Sequence, residues 1–349
     1  MRAEPGIAWL LLLTLGACVH APEEHSPLVV DENTVRLAVA SGPRPPGSLH
    51  AVWPLKEAFQ LREGWVDLNF MVDTHGKTYE VVVTDSAGSK AFEAAAIKAA
   101  QKWTFEPAML AGEPTDSGYG LRVYFTHPFS HKAAPQFSRD YEQALAAIAA
   151  GDRGRAETLL AQVTVRNLYE DALISLAKYQ FEARWGTEVG QLASLRRAVG
   201  RGPGSSYLPR KQSIAALQAL LPLELHAKDF ASAMWTWQML RESTRDPANF
   251  AKWQTTIDDV HALRTDERAY AIPGEIPPES SSWFYLLYKR RFEVAVSGGH
   301  ISELKLRCDR QYVSFGFDPN IYYRIADRSG DCRLELIGDP GTRFELIQS

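Results

Sequence analysis

The run WVDLNFMVDTHGKTYEVVV, from Trp65 to Val83, constrains the fold of this chain more than any other stretch, because its apolar residues recur at every second position, break once and resume. Val66, Leu68, Phe70 and Val72 fall on one face of an extended chain, DTHG supplies turn residues, and Tyr79, Val81 and Val83 take up the alternation again. A period of two reads as a strand with one buried face, and the Asp and Gly at the break read as a hairpin. The flanks change period. Upstream, WPLKEAFQLREG sets Pro54 at a first helical position, Leu55, Ala58 and Phe59 at i, i+3 and i+4, and Gly64 past the last turn. Downstream, Phe92, Ala95, Ala96, Ala99 and Trp103 keep helical spacing after a Ser able to cap them, and GLRVYF puts Leu121, Val123 and Phe125 in phase on a last strand. Two helices on an antiparallel sheet follow, an α+β unit.

Several short features of this unit stand in a fixed order: Trp53-Pro54, Ala58, Glu63-Gly64, Asp73 and Gly76 in the turn, the Ala-rich helix, the run Trp103-Thr104-Phe105-Glu106-Pro107-Ala108, and Gly112 before the final strand. In this order and spacing they resemble the C-terminal domain of TonB and its relatives, over about 75 of 349 residues, in a domain bounded at 51–128. That resemblance implies a binding module, since the family pairs an extended peptide with an exposed sheet edge, where main-chain hydrogen bonds supply affinity. The edge it implies here is the final strand: Leu121, Arg122, Val123, Tyr124 and Phe125, with Arg122 and Tyr124 pointing away from the other three. A TonB-type energy transducer of outer-membrane transport is the alternative. Such a transducer begins with an uncleaved membrane helix and a long Pro-rich spacer, and this chain departs from that plan.

Its N-terminal apolar run, Ile7 to Val19, has 13 residues, well short of the roughly 20 needed to cross a bilayer. Arg2 before it and the small residues Gly16 and Ala17 near its end match a secretory signal. Leu15-Gly16-Ala17-Cys18 resembles the lipobox of bacterial lipoproteins, which implies removal of residues 1–17 and acylation of Cys18. An ordinary signal peptide followed by an incidental cysteine reads the same residues. Val19, rather than Asp, resembles lipoproteins passed on to the outer membrane, so the expected location is the envelope, facing the periplasm. Residues 18–50, with PEEHSP and SGPRPPGS, read as a tether.

Beyond the first domain, residues 138–265 read as successive helices. Tyr141, Ala144, Leu145 and Ile148 make one stripe, Gly151 stops it, and Ala156, Leu159, Leu160 and Val163 begin another. Similar openings recur at GDRGRAETLL, GTEVGQLASL and KDFASAMWTW, which resembles a degenerate tetratricopeptide array; an irregular bundle accounts for the same spacing. AIPGEIPPESSS breaks the pattern, and a linker is expected over 266–284. Residues 285–349 alternate like five or six strands of a small antiparallel sandwich or barrel, closed by a hairpin across Asp-Pro-Gly. Cys308 is in phase with Leu304 and Leu306, and Cys332 with Leu334 and Leu336, so a disulfide is expected between them in an oxidising compartment.

No catalytic constellation emerges: there is no His-Glu-x-x-His helix, Gly-x-Ser-x-Gly elbow or Walker loop, and neither enzyme activity nor a cofactor is expected. GRGPGSS follows a helical stretch rather than a strand and reads as a loop, while Ser302 and Lys305 project from opposite faces of a strand. His127 and His131 have a metal-pair spacing, but Pro128 interrupts it and no third ligand is identifiable. Phe230, Met234 and Trp237 fall at core spacing, with Trp235 beside them. A formal net charge of −4 offers no basic excess for nucleic acid. The expected partners are envelope proteins or extended peptide segments, and the membrane through the lipid on Cys18.

Overall fold

The alternation between Trp65 and Val83 folds as an antiparallel hairpin of β1 (Gly64–Val72) and β2 (Thr78–Ala87). In its turn, Asp73 Oδ1 accepts from the backbone N–H of His75 and of Lys77, each at 2.8 Å. The structure, a computed structural model, describes residues 41–45, 47, 49–127, 132–200 and 207–349. Cys18, the tether up to residue 40, His131 and the Gly-rich run at 201–206 lie outside the described residues.

Strand β5 (Ser117–Phe125) pairs with the other side of β1, giving the sheet order β2-β1-β5. Helix α2 (Lys90–Ala100) covers one face: Val66, Leu68, Phe70 and Val72 share a core with Phe92, Ala96, Val123 and Phe125. Gly64 is required here, because a Cβ at this position would lie 2.3 Å from the Ala87 carbonyl and 2.7 Å from the Phe92 ring. Tyr79 departs from the expected alternation. A bulge in β2 falls between the pairs Asn69↔Val82 and Met71↔Tyr79, with Glu80 at φ 47°, and sets Tyr79 opposite Met71 on the sheet's other face. Strands β3 (Ala108–Leu110) and β4 (Glu113–Thr115) form a side hairpin. Ser41 and Arg44 bridge to Met109 and Glu106, so the folded domain starts ten residues before the expected boundary at 51.

Helix α1 (Leu55–Phe59) is a single turn, and its apolar stripe does not face the core as expected. Leu55 and Phe59 are exposed while Glu57 is buried. A five-residue helix is aimed by its ends: Trp53 packs into the core on one side, and the Glu63 N–H donates to the Arg166 carbonyl at 2.7 Å on the other.

The middle of the chain forms α3 (Pro135–Ala150), α4 (Arg153–Gln162), α5 (Leu168–Trp185), α6 (Glu188–Val199), α7 (Arg210–His226), α8 (Phe230–Ser243) and α9 (Gln254–Leu263). Loops of two or three residues fold the first six into three hairpins, α3/α4, α5/α6 and α7/α8. The second helix of each begins at Arg153, Glu188 and Phe230, and each accepts a backbone N–H on its capping side chain: Asp152, Thr187 and Asp229.

Eight strands follow: β6 (Tyr270–Glu275), β7 (Ser282–Leu286), β8 (Arg291–Gly298), β9 (Ile301–Cys308), β10 (Gln311–Gly316), β11 (Tyr323–Arg324), β12 (Cys332–Gly338) and β13 (Arg343–Gln348). They make two four-stranded antiparallel sheets, ordered β10-β9-β12-β7 and β11-β8-β13-β6, around a core that includes Leu304, Leu334, Phe292 and Leu346. Two expectations are corrected here. The stretch 266–284 is not a linker; it supplies β6 and the start of β7, and its Pro273 is tolerated because β6 lies at a sheet edge. The terminal Asp-Pro-Gly turn does not close a hairpin either, since β12 pairs with β7 and β9 while β13 pairs with β6 and β8, so residues 339–342 carry the chain from one sheet to the other. Cys308 and Cys332 lie directly opposite on β9 and β12 and form the expected disulfide.

Candidate functional site

The five residues expected to form a binding edge lie on the outer strand of the first sheet. Leu121, Val123 and Phe125 turn toward α2, where Phe125 stacks on Phe92 with ring centroids 4.5 Å apart. Arg122 and Tyr124 point to the opposite face, as alternation requires. That face is not open.

Arg122 donates from Nε and Nη2 to the two carboxylate oxygens of Asp67, each at 2.8 Å, directly across the ladder. Its guanidinium also lies 3.5 Å from the centroid of the Trp65 ring. Burial alone lowers the pKa of this guanidinium, but the hydrogen bonds and charge of Asp67 outweigh it and raise the net value. Trp65 in turn packs with Ala87, Leu168 and, at its side, Tyr124 and Tyr207. Arg197 of α6 reaches the same ring at 5.6 Å, donates to the Ser86 carbonyl at 3.2 Å and pairs with Asp171 at 2.9 Å.

Two further clamps seal the sheet. Buried Glu63 accepts from the His127 N–H at 2.6 Å and from the Leu168 N–H at 3.0 Å, placing a carboxylate on an orphan donor at the start of α5. Glu80, turned outward by its bulge, accepts from Lys305 at 2.9 Å and from Arg307 at 2.8 Å, and Arg307 also pairs with Glu335 at 2.7 Å. Burial pushes the Glu80 carboxyl up, but hydrogen bonds from Lys305 and Tyr312 and the charge of Arg307 outweigh it and hold it below the usual range. At Gly118 the β sandwich comes so close that a Cβ would sit 3.2 Å from the backbone of Arg307 and Cys308. Every residue of β1 is therefore buried, and the expected sheet with one wet face is instead covered by the helical unit at one end and by the sandwich at the other. What stays accessible on β5 is its outer edge: no strand pairs with that side among the described residues, and Gly120 in the middle is exposed.

The remaining candidates separate. His127 packs edge-on against Trp53, and no group of three metal-binding side chains occurs among the described residues. Trp237 is core, against Phe250, whereas Phe230 meets Tyr270 and Tyr288 of the sandwich. Lys305 reaches Glu80 and Ser302 bonds to the Ile337 carbonyl, so those two are not brought together. Among the described residues, no helix is long and apolar enough to cross a membrane. In the sequence Glu63 stands only as part of the family pattern, and Asp67, Glu80 and Arg197 are not singled out there.

Residues 50–127 match the family described as Gram-negative bacterial TonB protein C-terminal and form a TonB C-terminal domain. Among solved structures, the chain is similar to the solution NMR structure of the Pseudomonas aeruginosa TonB CTD, at 23% identity over 27% of this chain and 92% of that one, with a TM-score of 0.23. It is also similar to the TonB2 protein from Vibrio anguillarum, at 26% identity over 29% of this chain and 96% of that one, with a TM-score of 0.20. No curated protein matches the chain. The domain type is that of an envelope interaction module.

Proposed function

We propose that this protein is a lipoprotein, anchored through Cys18 to the outer membrane and facing the periplasm, that captures an extended segment of an envelope protein on the outer edge of β5. The observation that supports this most is the inequality of the sheet's surfaces. One face carries α2, the other is covered by the rest of the chain, and of the two unpaired edges, β2 and β5, that of β5 is the final strand to which the family resemblance points. An edge of this kind gives affinity through main-chain N–H and C=O groups and specificity through alternate side chains. With more than 200 residues clamped to the domain, capture rather than force transmission is the activity this body suits.

A photo-crosslinking residue at Gly120, which is exposed on β5, tests the proposal in intact cells against the same residue at exposed Glu157 on α4. Adducts specific to position 120, mapping to one extended segment of an envelope protein and unchanged when the proton gradient is collapsed, are the expected result. Adducts at 157 but not at 120 would move the site to the helical unit. Loss of adducts with the gradient would instead indicate a transducer.

A further inference from the structure

The ten residues from Val52 to Leu61 carry an apolar face turned outward. Val52 is 87% exposed, Leu55 76%, Phe59 85% and Leu61 60%. Leu55 and Phe59 are four apart on α1 and so share one face of it. Leu61 is held outward by a backbone at φ 49°, a left-handed conformation that a leucine adopts only under constraint. Of the other large exposed apolar residues, Val189 and Trp235 stand singly and Ile321 and Tyr322 form one pair.

The exposed charges nearby have one sign. Between Leu49 and Gly64 the acids Glu57 and Glu63 are both buried, while Lys56 and Arg62 are exposed, Arg62 lying 3.8 Å from the Glu57 carboxylate. Aliphatic and aromatic side chains interleaved with exposed cations suit the interfacial zone of a bilayer with anionic headgroups. A protein interface of the usual kind is poorer in Lys at its centre.

We infer that this face lies against the membrane that holds the lipid, an inference that rests on the acylation of Cys18 in the reading above. The chain enters the folded body at Ser41, bridged to Met109, whereas the apolar face adjoins the start of β1 at the other end of a nine-residue strand, roughly 30 Å away. The 23 steps from Cys18 to Ser41 can span at most about 80 Å. A span of that length lets the face reach the anchor's own bilayer. Because Gly64 pairs with Phe125, contact at this end directs the C-terminal end of β5 toward the lipid and its Ser117 end into the periplasm. The capturing edge then stands upright from the membrane.

The experiment uses the chain from residue 18 onward with Cys18→Ser, sedimented with vesicles of phosphatidylethanolamine and phosphatidylglycerol or of phosphatidylcholine alone. Binding to the phosphatidylglycerol vesicles is expected, reduced at least fivefold by Leu55→Ser with Phe59→Ser and made less sensitive to headgroup charge by Lys56→Gln. These side chains are exposed, so each variant should keep the parent circular dichroism and unfolding midpoint. Absence of vesicle binding by the parent, or binding unaffected by the serine pair, would overturn the inference. So would a dimer in light scattering that dissociates in the serine pair, which would assign the face to a second copy. Labelling with fatty acid in cells tests Cys18 by itself: an unlabelled wild-type chain would remove the anchor while leaving the vesicle result to stand alone.

Discussion

Arg122→Ala tests whether the second face of the TonB-type sheet is as sealed as the structure has it. The substitution strips Asp67, 1% exposed, of a bidentate cation at 2.8 Å, and takes the guanidinium off Trp65. Removing one partner of a buried pair costs about 3–5 kcal/mol, because the remaining charge is left desolvated. An exposed pair contributes only about 0–1 kcal/mol. The two cases differ enough to decide. Hydrogen exchange reports the loss locally, which suits a chain of several units better than one global midpoint. The amides of β1 and β5 should lose about two to three and a half orders of magnitude in protection, at about 1.4 kcal/mol per tenfold. Replacing both partners, Asp67→Leu with Arg122→Met, leaves no orphaned charge and should restore most of that protection. A fall of less than tenfold in Arg122→Ala would show that Asp67 is hydrated and the face open, and would reinstate the face as a binding surface.

Three other outcomes are expected. Glu80 has a lowered pKa, so its contribution to docking of the sandwich is complete above the ordinary glutamate value and is lost as pH falls through the lowered one; limited proteolysis between the units should accelerate there in the wild type and be pH-independent, and already fast, in Glu80→Ala. Burial pushes Glu224 up to about 7 against the charge of Arg196 and the hydrogen bond of Thr236, so its contribution is complete below the ordinary value and is lost as pH rises through 7; Glu224→Gln should flatten the urea midpoint of the helical unit between pH 5 and 8. Loss of the Cys308–Cys332 disulfide, which closes a separation of 24 residues, should destabilise the sandwich by about 3 kcal/mol, read by unfolding of Cys308→Ser with Cys332→Ser; an unchanged midpoint would show the sandwich does not depend on it.

Local rules made the elements of this chain legible wherever one face of an element decided its fate. The hairpin of β1 and β2, the α2 stripe, the phase of Leu121, Val123 and Phe125, and the pairing of Cys308 with Cys332 follow from periods of two or of 3.6. The errors share a cause: contacts between units supplied what the local pattern lacked. Pro273 read as a break because its partner strand, β13, lies some 70 residues on. The stripe on α1 read as core because nothing local reveals that a one-turn helix is aimed by Trp53 and Glu63. One signal was available. The supposedly wet face of β1 bears Trp65 and Met71 around Asp67 and Asn69, and an exposed face has little use for a tryptophan and a methionine at its two ends. Trp65 marks where the helical unit docks, and Met71 lies between Tyr79 and Gly118, the two residues that meet the sandwich. Glu63-Gly64, a pair the family resemblance rested on, then acquires a physical role in this chain: the glycine lets β1 pass under Ala87 and Phe92, and the glutamate joins the sheet to α5. The contacts that hide the face leave the ladder's outer sides unpaired, at β2 and at β5, and it is there rather than on the face that this sheet can still meet an extended partner.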